Sequence, residues 1–285
     1  MRTISANGLQ LPALGQGGWN IGDNHQKAES EKAALRRGFE LGLNLIDTAE
    51  MYGDGRSETL IGNAFHGIKR EDYMLVSKVY PHNAGRTNIF SSCDASLKRL
   101  QTDYLDVYLL HWRGSVPLAE TVACMEQLVQ MGKIKHWGVS NFDVVDMEEL
   151  WNIPGGNHCA VNQVLYNLGS RGIEYDLISW MKERNVAIMA YCPLAQAGRL
   201  KRMNQDIPND KMLISIASQY GISVMQLLLA FVLRQPNVSA IPKASTFFHV
   251  EENAAVLDVN ISEEDWSRID DVFWPPTSKM HLDIE

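Results

Sequence analysis

Hydrophobic positions along this chain fall into short, nearly uninterrupted runs separated by longer stretches with helical spacing. The runs are ALGQG, NLIDTA, YMLVSKV, YLDVYLLH, HWGVSN, AVNQVLY, AIMAYCPL and VSAIPKA. Several lack the polar alternation of a half-exposed strand, as expected when both faces of a sheet are covered. Between them the pattern predicts helices over residues 27–41, 57–65, 88–100, 118–131, 144–151, 176–184 and 223–234. Gly42 and Gly132 punctuate two helix ends, Ser57 reads as an N-cap, and Pro154-Gly155-Gly156 marks a loop. Eight strand–helix repeats with no dividing linker and no GxGxxG turn after the first strand predict α/β architecture. They fit one (β/α)8 TIM barrel domain over 1–285 better than an open doubly wound sheet. Ahead of it, Asn7-Gly8 between two β-prone segments predicts a hairpin that caps the barrel bottom.

Composition narrows the partners. Basic residues number 26 against 34 acidic ones, a net charge of −8, which argues against a nucleic-acid ligand. Cys93, Cys124, Cys159 and Cys192 form no CxxC pair, so neither a metal cluster nor a disulfide framework is expected. The first residues hold no apolar leader and LLLAFVL is too short to span a bilayer, so the expectation is a cytoplasmic, soluble protein with no membrane partner.

In a barrel of this kind the C-terminal strand ends converge on one face. Here those ends supply Trp19, Asp47, Lys78, His111, Ser140-Asn141, Gln163 to Tyr166, Tyr191 and Lys243. Asp47, Tyr52, Lys78 and His111 are the candidate chemistry. A tyrosine serves as proton donor when its environment draws its pKa down, which the Lys78 ammonium is expected to do while Asp47 keeps that ammonium charged. His111 is placed to hydrogen-bond a substrate oxygen. Each residue alone has a bland reading: Asp47 as a turn cap, Tyr52 as packing, Lys78 as solvated. Three consecutive strand ends supplying complementary groups favour the functional one. Glu50 and Asp54 are read as solvated, with Gly53 and Gly55 turning the chain.

The segments LGLNLIDTAEMYGDG, LVSKVY, LLHW, KIKHWGVSNF, NQVLYN, AYCPLAQ and IPKAS…EEN occur in this order over about residues 14–253. They resemble the strand-end motifs of the aldo-keto reductase superfamily, most closely those of small bacterial members of the methylglyoxal reductase type. The resemblance implies reduction of a small-molecule carbonyl with NADP(H), Tyr52 giving the proton, Lys78 and Asp47 tuning it and His111 orienting substrate. It implies that Ser140, Asn141 and Gln163 hold the nicotinamide carboxamide, Tyr191 stacks on the ring, and Pro193 and Leu194 line the same site. Asn141 has an alternative reading as the N-cap of the next helix. At the adenosine end it implies Lys243, Ser245 and Thr246 near the ribose phosphate, with Glu252 and Asn253 on adenine. His249 stands where many relatives have arginine, which weakens the expected preference for NADP over NAD. Cys192, Ala195, Ala197 and Gly198 replace a more polar cofactor strap, implying faster cofactor release.

Trp19, Met51, Trp112 and Trp274 are expected to wall an open substrate pocket. Members of this size imply a monomer. Two other readings use the same residues: a lyase with Lys78 as Schiff-base nucleophile, and a cofactor-bound, non-catalytic regulatory subunit.

Overall fold

A computed structural model of the chain describes residues 2–195 and 206–284. The hairpin strands β1 (Thr3–Ala6) and β2 (Leu9–Pro12) pair antiparallel about Asn7 and Gly8, whose φ values of 44° and 82° are those of a two-residue primed turn. Ile4, Ala6, Leu9 and Leu11 face inward. Asn7 Nδ2 donates to the carbonyls of Asn157 and Cys159, so the hairpin closes the end where strands begin.

Eight parallel strands follow: β3 (Gln16–Gly17), β4 (Leu45–Asp47), β5 (Met74–Val79), β6 (Leu105–Leu110), β7 (Ile134–Ser140), β8 (Val161–Leu165), β9 (Ala187–Tyr191) and β10 (Val238–Ala240). They pair in chain order. The two edges meet: Gly15 N donates to Ala240 O, Ala240 N to Ala13 O, and Gly17 N to Pro242 O, closing the predicted (β/α)8 barrel. Every residue of β6 is buried, as its doubly covered pattern requires. Its one charge, Asp106, is compensated by Arg70 at 2.6 Å and Lys135 at 2.9 Å.

The outer helices include α1 (Ala28–Glu40), α2 (Arg56–Phe65), α3 (Ile89–Leu100), α4 (Leu118–Gln130), α5 (Val144–Trp151) and α6 (Leu177–Glu183). Later come α7 (Lys211–Gln219), α8 (Val224–Leu233), α9 (Phe247–Ala255) and α10 (Glu263–Val272). All seven predicted helices form, with ends displaced by at most one residue. Helices α7, α9 and α10 lie outside those seven, although each has an orthodox cap: Asp210 accepts from Met212 N and Leu213 N, Thr246 from His249 N, and Ser262 from Asp265 N.

Ser57 corrects the sequence reading. Helix α2 is entered through Gly55 at φ 84°, and Ser57 lies inside the helix. Its hydroxyl donates to Gly18 O and accepts from Thr48 Oγ1, both at 2.9 Å, pinning the loop after β3 to the loop after β4. Gly18 admits this approach because a Cβ there would lie 2.6 Å from Asp47 O. No single described helix is long and apolar enough to cross a membrane.

Candidate active site

Strand β4 ends at Asp47, and the chain then turns through Gly53, Asp54 and Gly55, all at positive φ, before α2. This turn folds Tyr52 back over the mouth of the barrel. Lys78, fully buried on β5, directs three hydrogen bonds from Nζ: to Asp47 Oδ2 at 2.8 Å, Thr48 O at 2.7 Å and Tyr52 OH at 3.0 Å. An ammonium has three protons, and all are spent. A buried, fully engaged ammonium offers no lone pair to a carbonyl, which disfavours the Schiff-base reading.

His111 follows β6, its ring 5.7 Å from that of Tyr52 and inclined at 71°. Trp19 meets Tyr52 from the other side, edge-on at 4.8 Å. Trp112 packs on His111 at 4.9 Å and on Tyr80 at 5.9 Å. Met51 is half-buried in the turn between Asp47 and Tyr52. Trp274, by contrast, is 72% exposed and makes no ring contact with these groups among the described residues. The chain beyond it is tied down over the loops that follow β7 and β8: Lys279 bonds Asp143 and Asp176, and Ser170 bonds Asp283.

Electrostatics reverse one expectation. Burial raises the Tyr52 phenol well above its ordinary value, and the Asp47 charge adds to this, so Lys78 does not bring it down. Desolvation is the largest cause, and Cys192 adds a smaller rise after Asp47. Burial likewise pushes Asp47 up and Lys78 down, each pulled back in part by the other. His111 is lowered to about 2, first by burial and then by Lys78, so it is neutral throughout the physiological range. Its Nδ1 is buried with no partner among the described residues.

Ser140, Asn141, Gln163 and Tyr191 gather beside this group. Ser140 Oγ donates to Gln163 O at 2.9 Å, and Tyr191 OH donates to Asn141 Oδ1 at 2.9 Å. Asn141, at φ 60°, also bonds His111 O. It is not a helix cap, since Asp143 caps α5 with a reciprocal bond from Asp146. Gln163 has a partner that sequence reasoning missed: its Nε2 donates to Asp47 Oδ1 at 2.8 Å. Pro193 is buried and Leu194 half-buried in the turn after β9, where Cys192 and Ala195 have positive φ. Ala197 and Gly198 lie outside the described residues.

The adenosine-end candidates lie on one segment after β10. Lys243 is exposed and Ser245 half-buried. Thr246 caps α9, accepting from His249 N at 3.3 Å. His249 Nδ1 lies 3.5 Å from Glu252 Oε2, and Asn253 is buried. Glu50 again departs from expectation: half-buried, its Oε1 accepts from Tyr80 N at 2.7 Å and Asn83 Nδ2 at 3.1 Å. Asp54 is exposed as expected. Nothing local in the sequence distinguishes Glu50 from a solvated acid; its donors lie 30 and 33 residues away.

The aldo/keto reductase family profile matches residues 13–273. The chain is 53% identical to methylglyoxal reductase YeaE of Escherichia coli, covering 97% of this chain and 96% of that one. It is 33% identical to glyoxal reductase of Bacillus subtilis, covering 93% and 90%. An aldo-keto reductase of Klebsiella pneumoniae, solved in complex with NADPH, is similar with a TM-score of 0.96 and 50% identity, covering 100% of this chain and 99% of that one. With its barrel-mouth group of Asp47, Tyr52, Lys78 and His111, this chain belongs to the aldo/keto reductase family.

Proposed function

We propose that this protein reduces small reactive aldehydes, methylglyoxal among them, to alcohols with NADPH, and that Tyr52 donates the proton. The observation that carries this reading is the Lys78 Nζ to Tyr52 OH hydrogen bond of 3.0 Å inside a buried, charge-compensated cluster. Support for the cofactor and substrate comes from the NADPH complex of the 50% identical neighbour and from the named activities of the reductases of Escherichia coli and Bacillus subtilis.

The donor set fits a nicotinamide cofactor. Ser140, Asn141 and Gln163 offer hydroxyl and amide groups that match a carboxamide, and the Tyr191 ring is held in place through its bond to Asn141. Lys243, Ser245 and the start of α9 offer a cation, a hydroxyl and backbone amides to a phosphate. When bound, the cofactor supplies the hydride.

The side chains of this chain do the rest. Tyr52 keeps its proton at working pH because its pKa is raised. Its oxygen accepts from Lys78, so its own hydrogen is turned towards the mouth, where a carbonyl oxygen docks. As that proton leaves, charge grows on an oxygen 3.0 Å from an ammonium, a stabilisation realised in the transition state and hardly at all before it. His111 is neutral, and its unpartnered Nδ1 fits the tautomer with hydrogen on Nε2, ready to donate to the same carbonyl oxygen. Trp19, Met51 and Trp112 wall the substrate from the strand-end side.

The test is Tyr52→Phe, assayed by NADPH oxidation with methylglyoxal. Turnover falls by at least about 100-fold while NADPH affinity stays within a few-fold. A variant that turns over at the parent rate would falsify the assignment of Tyr52.

A further inference from the structure

We propose that Gln163 is a positioning residue for proton transfer, its side-chain amide holding the Asp47 carboxylate ionised and aimed at Lys78. This rests on the reading of Tyr52 as proton donor given above.

Strands β4 and β8 lie four places apart in the eight-stranded order, on opposite sides of the closed barrel. Asp47 and Gln163 are 116 residues apart and almost wholly buried, at 2% and 1% exposure, yet Gln163 Nε2 reaches Asp47 Oδ1 at 2.8 Å. The bond therefore spans the interior. Asp47 is held at both oxygens, one by the Lys78 ammonium at 2.8 Å and the other by this amide. The two donors act in the same direction, since each hydrogen bond to a buried carboxylate favours its charged form against the burial that opposes it. Lys78 then hands the effect on: it stays charged because Asp47 does, and its third proton goes to Tyr52.

The ionisable neighbours of this group are Lys78 on β5, Tyr52 in the loop after β4, His111 after β6 and Cys192 after β9, with Glu58 of α2 behind the sheet. His111 is neutral and supplies no second cation to Asp47. An amide has two N–H groups and a carbonyl oxygen, so one N–H on Asp47 leaves the rest for a carboxamide. A residue that only touched cofactor would alter binding. One that also holds Asp47 must alter how turnover depends on pH.

The experiment uses the full chain with saturating NADPH and methylglyoxal, comparing the parent with Gln163→Met and Gln163→Leu. Without the amide donor, Asp47 takes up a proton at higher pH, Lys78 loses its partner and turnover fails sooner on acidification. The acid limb of kcat should move up by about one pH unit in Gln163→Met, so that the ratio of kcat at about pH 5 to kcat at about pH 7 falls relative to the parent, by up to about tenfold. Gln163→Leu, which likewise removes the amide donor without adding a charge, should lower the ratio as well and carries the test if the methionine variant fails to fold. An unchanged or raised ratio overturns the proposal, even if fluorescence titration shows weakened NADPH binding, because cofactor contact alone then accounts for Gln163. Tyr52→Phe measured alongside separates the two claims. If it keeps parental turnover the proton-donor reading fails; if it is inactive and the Gln163 ratio is unmoved, only the role of Gln163 fails.

Discussion

Replacing Asp47 with asparagine keeps the shape of the group while removing the negative charge opposite a fully buried lysine. Lys78 then has two choices. It can stay charged, with Thr48 O and Tyr52 OH as its remaining acceptors, at a cost of about 3–5 kcal/mol for an uncompensated buried ion. Or it can fold neutral, which at about pH 7 costs the work of removing a proton from a group of ordinary pKa 10.5, about 5 kcal/mol. The two differ in pH dependence. A lysine neutral when folded and charged when unfolded makes the unfolded state bind more protons, so stability rises with pH by roughly 1.4 kcal/mol per unit up to its ordinary value. The two costs are comparable at about pH 7, and the neutral route, which the burial that already lowers Lys78 in the parent favours, becomes the cheaper one as pH rises. Urea unfolding of parent and Asp47→Asn at about pH 7, 8 and 9 should therefore show a deficit that narrows from up to about 5 to about 2 kcal/mol. A deficit constant across that range would mean that Lys78 stays ionised without Asp47, and the argument that Asp47 sustains its charge would be wrong.

Because His111 is lowered to about 2, it does not titrate between about pH 5 and 8, and the kcat/KM profile should show no limb near the ordinary histidine value. A limb near 6.5 that vanishes in His111→Gln would contradict this. Glu50→Ala leaves Tyr80 N and Asn83 Nδ2 without their acceptor, a cost of about 1–3 kcal/mol, and releases the loop whose Tyr80 ring meets Trp112. KM for the aldehyde should rise several-fold with kcat little changed; steady-state kinetics showing the parental KM would remove Glu50 from the substrate wall.

Much of the architecture was legible because a doubly covered parallel sheet demands near-continuous apolar strands, and that demand is written locally. Runs such as LDVYLL on β6 and the Asn7-Gly8 turn need no tertiary knowledge to be read. The grouping of Asp47, Tyr52, Lys78 and His111 was legible for a related reason: barrel topology brings strand ends together, so chain order predicts neighbourhood. Helices α7 and α10 escaped notice although their capping residues are ordinary. Ser57 was misread because a serine at the start of a helix looks the same whether it caps that helix or, as here, bonds Gly18 and Thr48.

The sequence by itself determined the βα repeat, the barrel, the hairpin at its base and the residues that line its mouth, since these follow from periodicity and strand order. The closed structure alone decided that Gln163 reaches across to Asp47, that Glu50 anchors the Tyr80 loop and that Tyr52 is held above its ordinary pKa rather than below it. These depend on contacts between residues far apart in the chain and on desolvation. Desolvation has no local signature, because the exclusion of water from Asp47, Lys78 and Tyr52 is the joint work of all the strands that surround them.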